Sequence, residues 1–148
     1  MWNSKRSITL SLLCLYLFSA VFTAVEIFAV PLTREFLSLF GKNPALLPVL
    51  AGWIYACLLP VGYALFLLHQ ILLWVRTERI FCNENVRRLR HLSWCCFAVA
   101  IISLGFGFGY FPLFLIAPIA AFVGLILRVV KNGCQRALEL EEDSRMTI

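Results

Sequence analysis

Charge is scarce in this sequence. Of its 148 residues only 14% are charged and 61% are hydrophobic, whereas a soluble domain carries roughly 25% charged residues. So little charge cannot cover a water-facing surface. A soluble enzyme, a disordered tail, a collagen and a coiled coil are excluded on composition. No Asp, Glu, Lys or Arg lies between Lys42 and Arg76, and none lies between Arg90 and Arg128. The alternating segments of ~10 residues that a transmembrane β-barrel needs are missing. Catalytic signatures are missing as well. No Cys-x-x-Cys, P-loop, Gly-x-Ser-x-Gly or His-Glu-x-x-His pattern occurs. Gly105-Phe-Gly-Phe-Gly109 has no strand before it and is not a dinucleotide loop. No residue cluster forces a reaction, so a non-enzymatic protein is expected, with no metal and no cofactor.

What the sequence has is long apolar runs, with a mean hydropathy of +0.88 over the chain. A helix crosses the ~30 Å hydrocarbon core in about 20 residues. The runs predict spans at about residues 7–30, 46–75, 92–109 and 112–127, with the last two forming a hairpin. Its turn is the breaker-rich stretch Gly105-Phe-Gly-Phe-Gly-Tyr-Phe-Pro112. The expected fold is all-α, a single integral membrane domain built as a four-helix bundle. Residues 76–91 form a loop between spans, and residues 128–148 form a tail. Met1-Trp-Asn-Ser-Lys-Arg6 resembles the start of a secretory signal. However, the apolar run that follows exceeds the usual ~7–15 residues and no clean Ala-x-Ala site follows it, so the segment is expected to stay as the first span.

Lys and Arg set the expected orientation. Eleven of the 13 fall in the N-terminus, the loop 76–91 and the tail; Arg34 and Lys42 lie in the first loop, and the hairpin turn has none. Both termini are therefore expected in the cytoplasm, in a multi-pass protein of the inner (plasma) membrane. The net charge of +5 sits beside apolar spans. The expected partner is thus an anionic lipid bilayer, with no direct nucleic acid binding.

Lipid tails are as apolar as leucine, so helices in a membrane associate through close packing and a few hydrogen bonds. Gly105 and Gly109 form a small-residue pair on the third span; Ala117 with Ala121, and Ala120 with Gly124, form two on the fourth. Gly105 and Ala117 are equally far from Phe111 and are expected to meet at one depth. A homo-oligomer through the glycines is the alternative. Pro60 predicts a kink in the second span.

Few residues could carry chemistry. Glu26 is the one acid inside a span, a candidate for ion or substrate coupling, or else a residue that snorkels outward or bonds a tyrosine such as Tyr55. His69 is a second coupling candidate, but it belongs to the other half of the membrane, so no direct pair with Glu26 is expected. With Gln70, its default role is a hydrogen bond between helices. Cys14, Cys57, Cys95 and Cys96 lie in or at the edge of spans and read as small apolar residues. A metal site from Cys82, His91 and Cys134 is disfavoured, and a thiol oxidoreductase has no dithiol in either outer loop. The candidate lipid or partner surface comprises Arg76, Arg79, Arg87, Arg88 and Arg90 with the acids Glu139, Glu141, Glu142 and Asp143. Asn83 or Asn85 can start a helix, with Val86, Leu89 and Ser93 on one face. The tail acids are expected to pair with Arg87, Arg88 and Arg90.

The segments Phe81-Cys-Asn-Glu-Asn-Val-Arg-Arg-Leu-Arg90 and Ala137-Leu-Glu-Leu-Glu-Glu-Asp143, with Thr147-Ile148 at the end, resemble those of the bacterial domain-of-unknown-function 2975 family. One departure is Ser144-Arg-Met146, where the family usually places an acid two residues before Thr-Ile. The resemblance implies a small four-span membrane protein with an acidic stretch near its terminus. It carries no activity. Because such genes often sit beside a small helix-turn-helix regulator, it also implies a cytosolic transcriptional regulator as partner. Two functions follow as expectations: a sensor or membrane partner of that regulator, or a small proton-coupled transporter or efflux subunit using Glu26.

Overall fold

The computed structural model of the chain describes residues 4–76 and 83–146. Over those residues it is all-helical: α1 (Ser4–Ile27), α2 (Ala29–Leu39), a 3-10 turn (Pro44–Leu46), α3 (Leu47–Arg76), α4 (Asn83–Gly107) and α5 (Pro112–Met146). Among the described residues four helices, α1, α3, α4 and α5, are long and apolar enough to cross a membrane. Arg79, Cys82, and the ends of the two family-like segments (Phe81, Thr147, Ile148) lie outside the described residues.

Helix α2 falls where the sequence predicts an outer loop, and Pro31 explains it. Proline has no N–H, and its ring crowds the carbonyl four residues back, here that of Ile27. The helix breaks there, with Phe28 at φ −98° and ψ 17°. The N–H of Phe28 still donates to Ala24 O (3.0 Å), and that of Leu32 donates to Phe28 O (2.9 Å). The chain therefore bends and resumes as α2 instead of unravelling. Gly41, with φ +58°, ends α2. The N–H of Lys42 donates to Leu37 O (2.9 Å) and that of Gly41 to Ser38 O (3.2 Å), the Schellman pattern. Asn43 Oδ1 then accepts from the Ala45 N–H at 3.0 Å to start the 3-10 turn.

One seam runs through both halves of the bent helix. Leu12, Leu15, Glu26, Ala29, Thr33 and Leu37 are buried, with half-buried Ser19 and Phe22 in the same 3–4 spacing. That spacing keeps one stripe facing a partner helix. The partner is α3, which Tyr16 meets through His69 (ring centroids 5.5 Å apart) and Leu37 meets through Leu50.

The helices lie in a row in chain order. Helix α1 approaches α3, α3 approaches α4, and α4 approaches α5; α1 makes no backbone approach to α4 or α5. The expected four-helix bundle is therefore open. Closure is not required of lipid-facing helices, because hydrocarbon replaces the missing neighbour at little cost. Helix α3 runs unbroken through Pro60. Its indole at Trp53 donates to Ser103 Oγ on α4 at 3.0 Å. Ser93, fully buried on α4, donates to the Gly124 carbonyl of α5 at 2.9 Å.

Only some of the expected small residues let helices touch. A Cβ on Gly105 would meet nothing within 4 Å, and Gly109 faces Val49 of α3 from beyond the end of α4. The tight positions are Gly107, where a Cβ would lie 2.8 Å from the Phe114 ring, Gly109, 2.9 Å from Val49, Gly52, 3.2 Å from Phe106, and Gly124, 3.3 Å from Cys96 and Phe97. The reason is rotational: Gly107 and Ser103 share the buried face of α4, and Gly105 points off it. Ala117 is buried, and Ala121 is half-buried.

Gly107→Ala should lower thermal stability in detergent by about 1–3 kcal/mol, because the Phe114 ring has to shift. Gly105→Ala should be neutral or stabilising by up to about 1 kcal/mol. Melting curves of the two variants check this; equal losses would refute the assignment.

Candidate functional site

The antiparallel order of α1, α3, α4 and α5 collects the basic residues at one end of the molecule. Arg76 closes α3, where a cation suits the partial negative charge of a helix C-terminus. Helix α4 begins at Asn83, well before Leu92, so Arg87, Arg88 and Arg90 stand on its first turns. Val86 and Ser93 are buried on the same helix, and Leu89 is half-buried, the face expected from their spacing. Helix α5 does not stop at the expected membrane edge. It continues to Met146 as one helix of 35 residues.

The basic residues divide into those with partners and those without. Arg88 lies over the Trp74 ring at 5.2 Å, donates to Asn85 Oδ1 at 3.2 Å and pairs with Glu84 at 3.6 Å. It staples α4 to α3. Arg128 lies over Trp94 at 5.4 Å and Phe97 at 5.9 Å, and its buried Nε has no hydrogen-bond partner. Ring faces take the place of an anion there. Lys131, one turn along α5, is nine-tenths buried. Arg87 and Arg90 are exposed. With Asn83, Val86 and Gln135 they line an open pocket of about 230 Å³ between α4 and α5.

The tail acids do not bond as expected. Arg88 takes Glu84 from its own helix, and Glu141 takes Arg145 at 3.0 Å from its own helix. Partners four residues apart on one helix are already adjacent, whereas a partner on another helix must be reached by ordering two long side chains. Glu139, Glu142 and Asp143 are exposed on the last turns of α5.

Glu26 lies near the other end. It sits on the α1 seam between Phe22 and Ala29, one residue before the break, and is only 9% exposed. Its Oε2 is buried with no hydrogen-bond partner. Cys57 on α3 is its electrostatic neighbour. Glu26 has no hydrogen bond to Tyr55 among the described residues, and its seam position turns it onto α3. His69 meets Tyr16 in a tilted ring contact, about 15 Å along α1 from Glu26, so the two coupling candidates stay apart. The hydroxyls nearby serve their own helix: Ser19 donates to Leu15 O at 2.9 Å and Thr23 to Ser19 O at 2.8 Å. Among the described residues no three His, Cys, Asp or Glu side chains converge.

Sequence reasoning missed Trp74, Trp94 and Gln135 as parts of the basic end, and counted Arg128 and Lys131 there for orientation without naming them as site residues. Tryptophans at the ends of apolar runs were the available signal.

Compared with known proteins, the family described as "Protein of unknown function (DUF2975)" matches residues 7–148. No curated protein and no solved structure matches.

A buried carboxyl with an unpartnered oxygen is destabilising, and an apolar side chain of similar size removes that cost. Glu26→Leu should therefore raise thermal stability in detergent by about 1–3 kcal/mol. A fall in melting temperature would show that the carboxyl has a stabilising partner.

Proposed function

The chain belongs to the DUF2975 family, and from that premise we propose that it is a non-enzymatic inner-membrane protein that holds a cytosolic partner at its basic end. The single observation that carries this reading is the continuation of α5. A helix of 35 residues extends about 52 Å, against ~30 Å of hydrocarbon. Its last turns therefore stand clear of the membrane as an arm. Glu139, Glu141, Glu142 and Asp143 line that arm, all exposed. The excess of Lys and Arg in the segments at the same end supports placing the arm, and both termini, in the cytoplasm. The family resemblance supplies the kind of partner, a small helix-turn-helix regulator whose basic surface an acidic helix would attract. Holding such a regulator at the membrane would keep it from its operator.

A second reading rests on a different observation. The buried carboxyl of Glu26, with its unpartnered oxygen beside a helix break, is the arrangement a proton-coupled transporter or efflux subunit uses.

Replacing Glu139, Glu141 and Glu142 by Gln and Asp143 by Asn should reduce recovery of a co-expressed neighbouring helix-turn-helix regulator by about tenfold or more. Unchanged recovery would overturn the first reading. Under the second, Glu26→Gln should abolish substrate-driven proton flux in proteoliposomes, and full flux in the variant would dismiss it.

A further inference from the structure

The basic end carries more positive charge than its own acids answer. Arg88 has Glu84 and Trp74, Arg128 has two aromatic rings, and Arg145 has Glu141. Arg87 and Arg90 have no hydrogen bond or ion pair among the described residues, although both line the pocket between α4 and α5. Lys131 is nine-tenths buried on α5, one helical turn before the pocket residue Gln135. It too has no ion-pair partner among the described residues. Like charges gathered without an anion repel.

We propose that the pocket lined by Asn83, Arg87, Arg90 and Gln135 binds a phosphate group, that of an anionic membrane lipid. The lining has the right chemistry. Two guanidinium groups can each donate a fork of hydrogen bonds to phosphate oxygens. The Gln135 amide adds a neutral donor. Asn83 opens α4, whose first N–H groups have no partner within the helix. The one acid of that turn, Glu84, is bound to Arg88 and is not in the pocket lining. A volume of about 230 Å³ leaves room for a phosphate with part of its headgroup.

Depth selects a lipid over a soluble anion. Trp94 lies on α4 about 10 Å further in than Arg87. The residue is 58% exposed, and its ring carries Arg128 on its face. Exposed tryptophans mark the headgroup level of a bilayer. The pocket therefore opens just outside the hydrocarbon, where lipid phosphates lie. The site rests on the membrane placement alone. It requires neither the acidic arm nor a regulator.

The test uses the full-length protein purified in detergent, with native mass spectrometry to count retained lipid. Dioleoyl-phosphatidylglycerol is the probe, and dioleoyl-phosphatidylcholine is the neutral reference. The variant Arg87→Gln/Arg90→Gln is compared with Arg136→Gln/Arg145→Gln, which removes the same charge outside the pocket. Both arginines of the first pair are exposed and have no hydrogen-bond or ion-pair partner among the described residues, so that variant should fold. Phosphatidylglycerol should be retained over phosphatidylcholine, and the pocket variant should lose about tenfold of that retention while the control changes by less than about twofold. Added inorganic phosphate identifies what is read: displacement of the lipid shows that the pocket holds the phosphate alone, and resistance shows that headgroup and chains contribute. Either result supports the site. No loss in the pocket variant, or an equal loss in both variants, overturns it. The substitutions in the acidic arm should leave lipid retention unchanged, which separates failure of this site from failure of the partner reading.

Discussion

Hydrocarbon excludes charge, and the rest of this structure follows from that constraint. A Lys, Arg or Asp at the centre of a membrane helix costs several kcal/mol. The chain therefore confines its cations to helix ends. Antiparallel packing of α1, α3, α4 and α5 then stacks those ends into one basic surface. Arg128 and Lys131 test the rule, since both are partly or wholly buried. Arg128 meets it by lying on Trp94 and Phe97, rings whose faces attract a cation without adding a charge. Arg88 does the same with Trp74.

The same solvent that excludes charge gives apolar helices no reason to cluster. What holds α3, α4 and α5 together is close approach at a few positions. Gly107 lets the Phe114 ring against the α4 backbone, and Gly124 admits Cys96 and Phe97. Ser93 and Ser103, both fully buried, turn those approaches into hydrogen bonds between helices. Interhelical bonds of this kind average about 0.6 kcal/mol in membrane proteins, so they fix register more than they add stability. Helix α1 has no such bond to α3 among the described residues. It is held by a thin seam, and much of its surface is left to lipid.

Pro31 joins the local and the functional levels. By breaking the helix after Ile27 it sets the direction of α2, and it places Glu26 at the bend. The seam residues on either side bury the carboxyl against α3. Depth along the helix separates Glu26 from His69, while its rotation about the helix axis turns it toward α3. Glu26 and the basic end lie toward opposite ends of the same open row of helices.

Charge spacing and length in the sequence were enough to determine an all-helical membrane chain, the hairpin between α4 and α5, and the clustering of Arg87, Arg88 and Arg90 near a helix start. These depend on solvation and on backbone hydrogen bonding, which act residue by residue. Helix α2 was also within reach, because Pro31 and the 3–4 spacing of Leu12, Leu15, Ser19, Phe22, Glu26, Ala29, Thr33 and Leu37 are visible in the sequence. Only tertiary structure decided that Gly107 and not Gly105 meets a neighbouring side chain, that the row is open, and that Arg88 turns to Glu84 and Trp74 while Arg87 and Arg90 line a pocket. Those outcomes depend on how one helix is rotated against its neighbour. That angle is set by side chains distant in sequence, and no local pattern records it.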